Sequence, residues 1–350
     1  MAKTGKYIYG IINSNTTLHL SVPKDFPGSE GSSNGVYTIP HHDISAMVKD
    51  CEIFDYTSVP DDIGVRMLLK HQAVIERIMN SGIAVIPVQL GTFIEDEIEV
   101  KRVLDKGYNL IKEILDKIND KIEIDVAVTW HDFSSFIKEI GEESEIREFK
   151  DRLLAHSTEI ATDDRIIIGK MLSKILEERR EKYSSRIHYF LDKISAGIKA
   201  HDVMDDKMVL NSAFLINKKN LENFEKEIEL LNTAFDNKLN FKCIGPLPPY
   251  SFYTLEIKKL LFEKIDWARK KLRLIDSSVT RDEIKKAYQA LVVTFHPDNN
   301  PDIPGIETQF EDITNAHEIL KEYCQAGQYG ACSFIEEEFN KNALLVRVKV

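Results

Sequence analysis

The chain has 350 residues, too many for one small domain and enough for two or three compact cores. Hydrophobic residues at 43% and charged residues at 29%, with 16 Gly and 11 Pro, exclude fibrous and wholly disordered classes. The 57 acidic residues outnumber the 46 basic ones for a net charge of −11, and no long basic segment stands apart, so a phosphate backbone is not an expected partner.

The chain opens with Tyr7-Ile8-Tyr9-Gly10-Ile11-Ile12, an apolar run too short for a signal-peptide core. Nowhere does an uncharged apolar stretch reach the length of about 18 residues that a bilayer span needs. Cys51, Cys243, Cys324 and Cys332 form no C-x-x-C pair and no disulfide framework. A soluble intracellular protein in a reducing cytosol is the expectation.

Residues 7–12 and 36–39 read as short strands around a Ser-, Gly- and Pro-rich surface loop at 21–35, expected to be mobile. The stretch 44–51 reads more as strand than helix. Asp61 and Asp62 can cap a helix whose apolar side carries Val65, Leu68, Leu69, Ile75, Ile78 and Met79. Residues 83–88 form a continuous apolar run, the mark of a strand covered on both faces. A second helix carries Val100, Leu104, Ile111, Leu115 and Ile118, and alternation over 122–129 predicts a half-buried strand. Strands broken by two helices predict an α+β domain over 1–133, ferredoxin-like, with helices on one face of a sheet.

Residues 134–205 are charged and almost wholly helical. A long helix is predicted with Met171, Ile175, Tyr183, Ile187, Leu191, Ile194 and Ile198 along one stripe. The charge run over 177–186 fits a solvated face or, alternatively, a partner-binding face. A second α+β unit follows over 206–257: strand 208–216, helix 221–235 and strand 239–244. Its exit through Pro246, Pro248 and Pro249 lacks ladder donors, so it belongs at an edge or in a rigid turn.

The segment 258–330 is helical. Residues 258–274 form a charged helix, and Thr280 with Glu283 makes a capping box. The helix behind that box carries Ile284, Ala287, Tyr288, Leu291 and Val292 and stops at His296-Pro297-Asp298. A further helix holds Phe310, Ile313, Ala316, Ile319 and Leu320. The tail, 331–350, ends in an alternating stretch that reads as a strand, open to completing the second α+β unit's sheet.

Enzyme signatures are absent: there is no P-loop, dinucleotide fingerprint, zinc-protease helix or nucleophile elbow. Adjacent side chains diverge on a strand and lie about 100° apart on a helix, so His41-His42-Asp43 is expected to be a surface turn and not an ion site. His131-Asp132 and His201-Asp202 have no recognisable third partner. No catalytic residue, cofactor or metal is expected.

Two resemblances add to this reading. With both helices in register around His296-Pro297-Asp298, the segment from about Asp266 to Ala326 resembles a DnaJ-type J domain. That resemblance implies contact with a DnaK-type chaperone through His296, Pro297 and Asp298 and through a basic face holding Lys285 and Lys286. Here the face is thin, because Gln289, Ala290, Val293 and Thr294 stand where Arg or Lys is expected. An active co-chaperone and a module kept for structure or docking both remain open. The stretches 6–12, 69–75, 86–93, 208–216 and 241–252 resemble, in order, the gas vesicle GvpL/GvpF family over about residues 6–255. The most specific block is Gly245-Pro246-Leu247-Pro248-Pro249-Tyr250-Ser251-Phe252, with Leu247 where the family usually has Trp.

This resemblance implies a non-enzymatic accessory protein acting in early gas vesicle assembly, located in the cytoplasm at the vesicle, with the hydrophobic shell subunit and other vesicle proteins as partners. The surface that meets the shell subunit is not assigned. The alternative is a general J-domain co-chaperone without a vesicle role; an enzyme built around His131 or His201 comes third.

Overall fold

A computed structural model describes residues 3–20, 35–156, 161–301, 303–326 and 331–349; most of the loop expected at 21–35 lies outside the described residues. The chain forms two compact units, one from Met1–Leu115 with Tyr253–Val350, the other Asp116–Phe252.

The first unit begins with β1 (Thr4–Ile12), β2 (His19–Leu20), β3 (Val36–His41) and β4 (Ile44–Glu52). Helix α1 (Asp61–Asn80), strands β5 (Val85–Pro87) and β6 (Phe93–Ile94), and helix α2 (Glu97–Ile118) follow. One antiparallel sheet has the order β2-β3-β4-β1-β5, with β6 also on β1. Buried β-branched and aromatic residues hold β1 at its centre: Tyr7, Ile8, Tyr9, Ile11 and Ile12 are all at most 1% exposed. At Gly10 the β1–β4 register slips by a bulge, and a Cβ there would lie 2.8 Å from the Ile86 carbonyl oxygen, so β5 can approach only a glycine.

Helix α1 forms where expected, and the second half of its predicted apolar side is buried while the first half is not. Its buried side is Met67, His71, Val74, Ile75, Ile78 and Met79, whereas Val65, Leu68 and Leu69 are exposed. The residue flanking its start is Pro60, and neither Asp61 nor Asp62 makes a side-chain cap; both sit in the first turn, where their charge suits the helix dipole.

The second unit contains β7 (Lys121–Trp130), α3 (Phe133–Gly141), α4 (Ser144–His156) and α5 (Thr162–Asp192). Then come β8 (Gly197–Ala200), β9 (Met208–Asn217), α6 (Leu221–Ala234), β10 (Leu239–Leu247) and the short α7 (Tyr250–Tyr253). Its antiparallel sheet runs β10-β7-β9-β8. A strand–helix–strand–strand–helix–strand order with the first strand beside the last is the split arrangement of ferredoxin-like folds. The ferredoxin-like pattern expected of residues 1–133 is therefore realised in this unit. Strand β7, expected in the N-terminal domain, is instead its central strand, because every second side chain from Ile122 to Trp130 is buried under the unit's helices.

Helix α5 ends at Asp192, so the predicted stripe does not continue through Ile198, which lies in β8 and pairs with Phe214 of β9. The Ser195 hydroxyl donates to the Leu191 carbonyl at 2.7 Å and the Ala196 N–H donates to the Leu215 carbonyl at 2.6 Å, which closes the helix and starts the strand.

Back in the first unit lie β11 (Leu255–Lys259), α8 (Phe262–Lys271), β12 (Ser278–Thr280), α9 (Arg281–Phe295) and α10 (Ile306–Ala326). Strand β13 (Ala331–Ser333), helix α11 (Glu336–Asn342) and strand β14 (Leu344–Val348) complete it. Strand β14 pairs antiparallel with β11 and does not extend the second unit's sheet. Residues 258–259, read as the start of a charged helix, are thus the end of a strand. Glu256, 8% exposed, accepts from Arg347 Nε at 2.6 Å and forms an ion pair with Lys258 at 3.0 Å, which ties the ribbon together.

Candidate functional site

Three groups of residues can do chemistry or meet a partner. The first is the tip between α9 and α10. The capping box forms as read: the Thr280 hydroxyl accepts from the Glu283 N–H, and the Thr280 N–H donates to Glu283 Oε2 at 2.7 Å. Helices α8, α9 and α10 then close a core of Ile265, Ala268, Leu272, Ile284, Leu291, Ile313, Ala316 and Leu320. The Tyr288 ring stacks on His317 with centroids 4.0 Å apart. Helix α9 ends at His296 because Pro297 cannot continue it.

His296 Nδ1 accepts from the Asp298 N–H at 3.2 Å, and its ring meets the edge of Phe310 at 5.2 Å. The Asp298 side chain is 87% exposed. The tip is therefore a fixed turn with its carboxylate in solvent. Lys285 and Lys286 are exposed on α9, as are Gln289, Ala290, Val293 and Thr294. Arg281 is committed elsewhere, donating from Nη2 to the Cys324 carbonyl at 2.9 Å. The basic face is confined to the first half of the helix.

A second feature of this module was not legible from cysteine spacing. Cys324 and Cys332, both buried, form a disulfide with Cα atoms 5.3 Å apart. Cys332 sits on β13 opposite Val279 of β12, so the bond ties the end of α10 to the strand preceding the capping box. Cys51 and Cys243 are free thiols.

The second group is on α1. His71 is 3% exposed; its Nδ1 accepts from the Tyr7 hydroxyl at 2.7 Å, and its Nε2–H donates to the Val88 carbonyl at 3.0 Å. Burial pushes its pKa down to about 4, so it is neutral and both nitrogens are satisfied. This lock sets the rotation of α1 and turns Val65, Leu68 and Leu69 outward at 55%, 39% and 59% exposure. Positions i, i+3 and i+4 make them one contiguous apolar stripe.

The third group surrounds Ser251 in the second unit. The Ser251 N–H and hydroxyl donate to Glu123 Oε2 and Oε1 at 2.9 and 2.8 Å, and His201 Nε2 lies 3.2 Å from Ser251 Oγ. Glu123 is 1% exposed and shares a face of β7 with Asp125. Burial is the main cause that pushes both carboxyls up, Glu123 to about 8, and the adjacent acid adds to the rise at Glu123. His201, which had no visible partner in the sequence, thus gains one; His131 Nδ1 lies 2.9 Å from Asn240 Oδ1. A serine hydroxyl that donates to a buried carboxyl is a structural anchor for the Pro-Pro-Tyr-Ser turn rather than an activated nucleophile. At the His41-His42 turn, His42 is exposed as expected, whereas the His41 side chain is only 19% exposed.

Among the described residues, no helix is long and apolar enough to cross a membrane. The family model for the gas vesicle synthesis protein GvpL/GvpF matches residues 5–254, and that for the DnaJ domain matches residues 273–329. Gas vesicle protein F2 of Halobacterium salinarum is 24% identical over 73% of this chain and 95% of its own length. Gas vesicle protein F of Nostoc is 23% identical over 53% of this chain and 77% of its own. The human DnaJ homolog subfamily C member 5 is 40% identical over 75 residues, 19% of this chain and 38% of that protein. In fold, the crystal structure of GvpF from Anabaena aligns with 71% of this chain and 98% of its own at a TM-score of 0.58 and 21% identity. With the mixed α+β units, the proline-rich turn anchored on Glu123 and the Pro-terminated helix α9 all falling inside these matches, the chain belongs to the gas vesicle GvpL/GvpF family and carries a DnaJ-type domain at its C-terminal end.

Proposed function

We propose that this chain is a non-enzymatic assembly factor that holds the hydrophobic shell subunit of the gas vesicle in solution, in the cytoplasm, while the vesicle is built. The observation that carries the proposal is the outward stripe of Val65, Leu68 and Leu69 on α1. A folded chain gains nothing from exposing three adjacent large apolar side chains, whereas an escort of an aggregation-prone subunit needs such a surface. The J module, through His296, Pro297 and Asp298 with Lys285 and Lys286, recruits a DnaK-type chaperone to the same subunit.

The test is co-expression of the shell subunit with wild type, with Leu68→Asp/Leu69→Asp and with His296→Gln. Wild type is expected to keep shell protein soluble and to co-purify with it, and the α1 variant to lose both. His296→Gln is expected to keep the shell protein but to lose stimulation of the chaperone's ATPase. Shell protein that stays insoluble with wild type, beside an ATPase that responds to it, would replace this reading with that of a general co-chaperone.

A further inference from the structure

The β3–β4 hairpin brings together side chains that a regular strand or helix would separate. His41 is the last residue of β3, and His42 opens the turn at φ 53°. That left-handed backbone folds the two imidazoles onto each other, with centroids 4.3 Å apart. Helix α2 supplies the third member. Asp105, Tyr108 and Lys112, at i, i+3 and i+7, share the face that meets this turn. Asp105 Oδ1 lies 3.3 Å from His41 Nε2, and one donor atom from each of His41, His42 and Asp105 lies within 4.8 Å of the others.

Two details separate this cluster from an ordinary His–Asp ion pair. His41 Nε2 is closed off from solvent and makes no hydrogen bond, so Asp105 is near it but outside hydrogen-bonding alignment. A separation of 3.3 Å is also the spacing of two ligand atoms around a tetrahedral ion with bonds of about 2.0 Å. The neighbouring groups hold the cluster in place. Asp43 is fully used by the Tyr108 hydroxyl at 2.6 Å and by Lys112 Nζ at 2.7 Å, which pins the turn to α2. Tyr108 in turn stands edge-on to the His42 ring at 5.3 Å.

We propose that His41, His42 and Asp105 form a binding site for a divalent transition-metal ion of the zinc class, with water as the fourth ligand. Two imidazoles and one carboxylate suit such an ion, whereas calcium and magnesium favour all-oxygen sets. The bound ion clamps the hairpin to α2, and His42 and the Asp105 side chain, both exposed, close on it by rotation alone.

The probe is Co²⁺, titrated into the untagged full chain after treatment with a chelator, and read by visible absorption. The expected result is saturation at one ion per chain, with tetrahedral ligand-field bands and no thiolate charge-transfer band, and displacement by Zn²⁺. His42→Ala and Asp105→Asn, both at exposed positions, are each expected to weaken binding by about tenfold or more without changing the far-ultraviolet circular dichroism. Failure to saturate, binding unchanged in both variants, or a thiolate band that assigns the ion to cysteines would overturn the proposal.

Discussion

At the level of single residues, two buried groups give the units opposite responses to pH. His71 titrates near 4 in the fold against 6.5 when free, so the stability it supports is complete above 6.5 and is lost as pH falls toward 4. The linked effect is of order 3 kcal/mol. His71→Phe is expected to destabilise the first unit near neutrality by removing the Tyr7 and Val88 bonds, yet to flatten its acid sensitivity, as measured by hydrogen exchange of the β1 amides. Glu123 is shifted the other way. Its contribution is complete below the free value of 4.5 and fades as pH rises through about 8. Glu123→Gln, which imitates the protonated acid, is expected to leave the second unit's melting, followed by Trp130 fluorescence, nearly independent of pH between those limits. Neither group could be found by reading the sequence. His71 sits among apolar residues at helical spacing, and Glu123 lies in an alternating strand where it counts as a solvent-facing position; only the tertiary partners reverse that.

At the level of elements, helix α1 shows what periodicity can and cannot do. The helix itself was legible, but apolar residues occur on two of its sides, and spacing alone cannot say which side is covered. Of the six residues that the sequence reading placed in the core, Ile75, Ile78 and Met79 are buried and Val65, Leu68 and Leu69 face outward, and that outward stripe carries the proposed contact with the shell subunit. Ile75→Ala on the buried side is expected to cost about 2–5 kcal/mol, whereas Leu69→Asp on the stripe should change stability by no more than about 0.5 kcal/mol. Chemical denaturation of the two variants side by side checks this. Helix α9 is the opposite case. Its capping box and its terminating Pro297 are local signals, and both formed as read. Strand β11 was missed because its alternation is masked by Lys258 and Lys259, whose charges answer to Glu256, Glu95 and Glu99.

At the level of the whole molecule, a net charge of −11 opposes docking of the J module on the acidic chaperone proposed as its partner. With basic residues only in the first half of α9, Gln289→Lys/Val293→Arg is expected to raise affinity for a DnaK-type chaperone several-fold. The gain should come mainly through a faster on-rate, and it should vanish in high salt. Surface plasmon resonance at two ionic strengths reads both effects. The Cys324–Cys332 bond closes a short loop, with a sequence separation of 8, worth about 2.5 kcal/mol on loop-entropy grounds. A reductant is therefore expected to lower the melting temperature of the J module, and Cys332→Ser to abolish the difference.

The order of the family's segments and the J-type helices were legible as sequence motifs, whereas the division into units was not. Strand β7 and the tail strand each pair with partners far along the chain, and long-range pairing leaves no local mark.

The ribbon of β11 and β14 has a consequence for how the chain is strung. Lys259 and Leu344 face each other across it, and the Leu260 N–H donates to the Ala343 carbonyl at 2.6 Å, so the J segment leaves and re-enters through adjacent positions. Away from those junctions, Glu322 of α10 accepts from Arg347 Nη2 at 2.8 Å, so the segment also rests on the ribbon. Replacing residues 260–343 with a two-residue Asn-Gly turn should convert the ribbon into a simple hairpin. That deletion removes the proposed chaperone-recruiting tip and leaves the proposed escort stripe on α1 in place, so the two proposed roles can be tested apart.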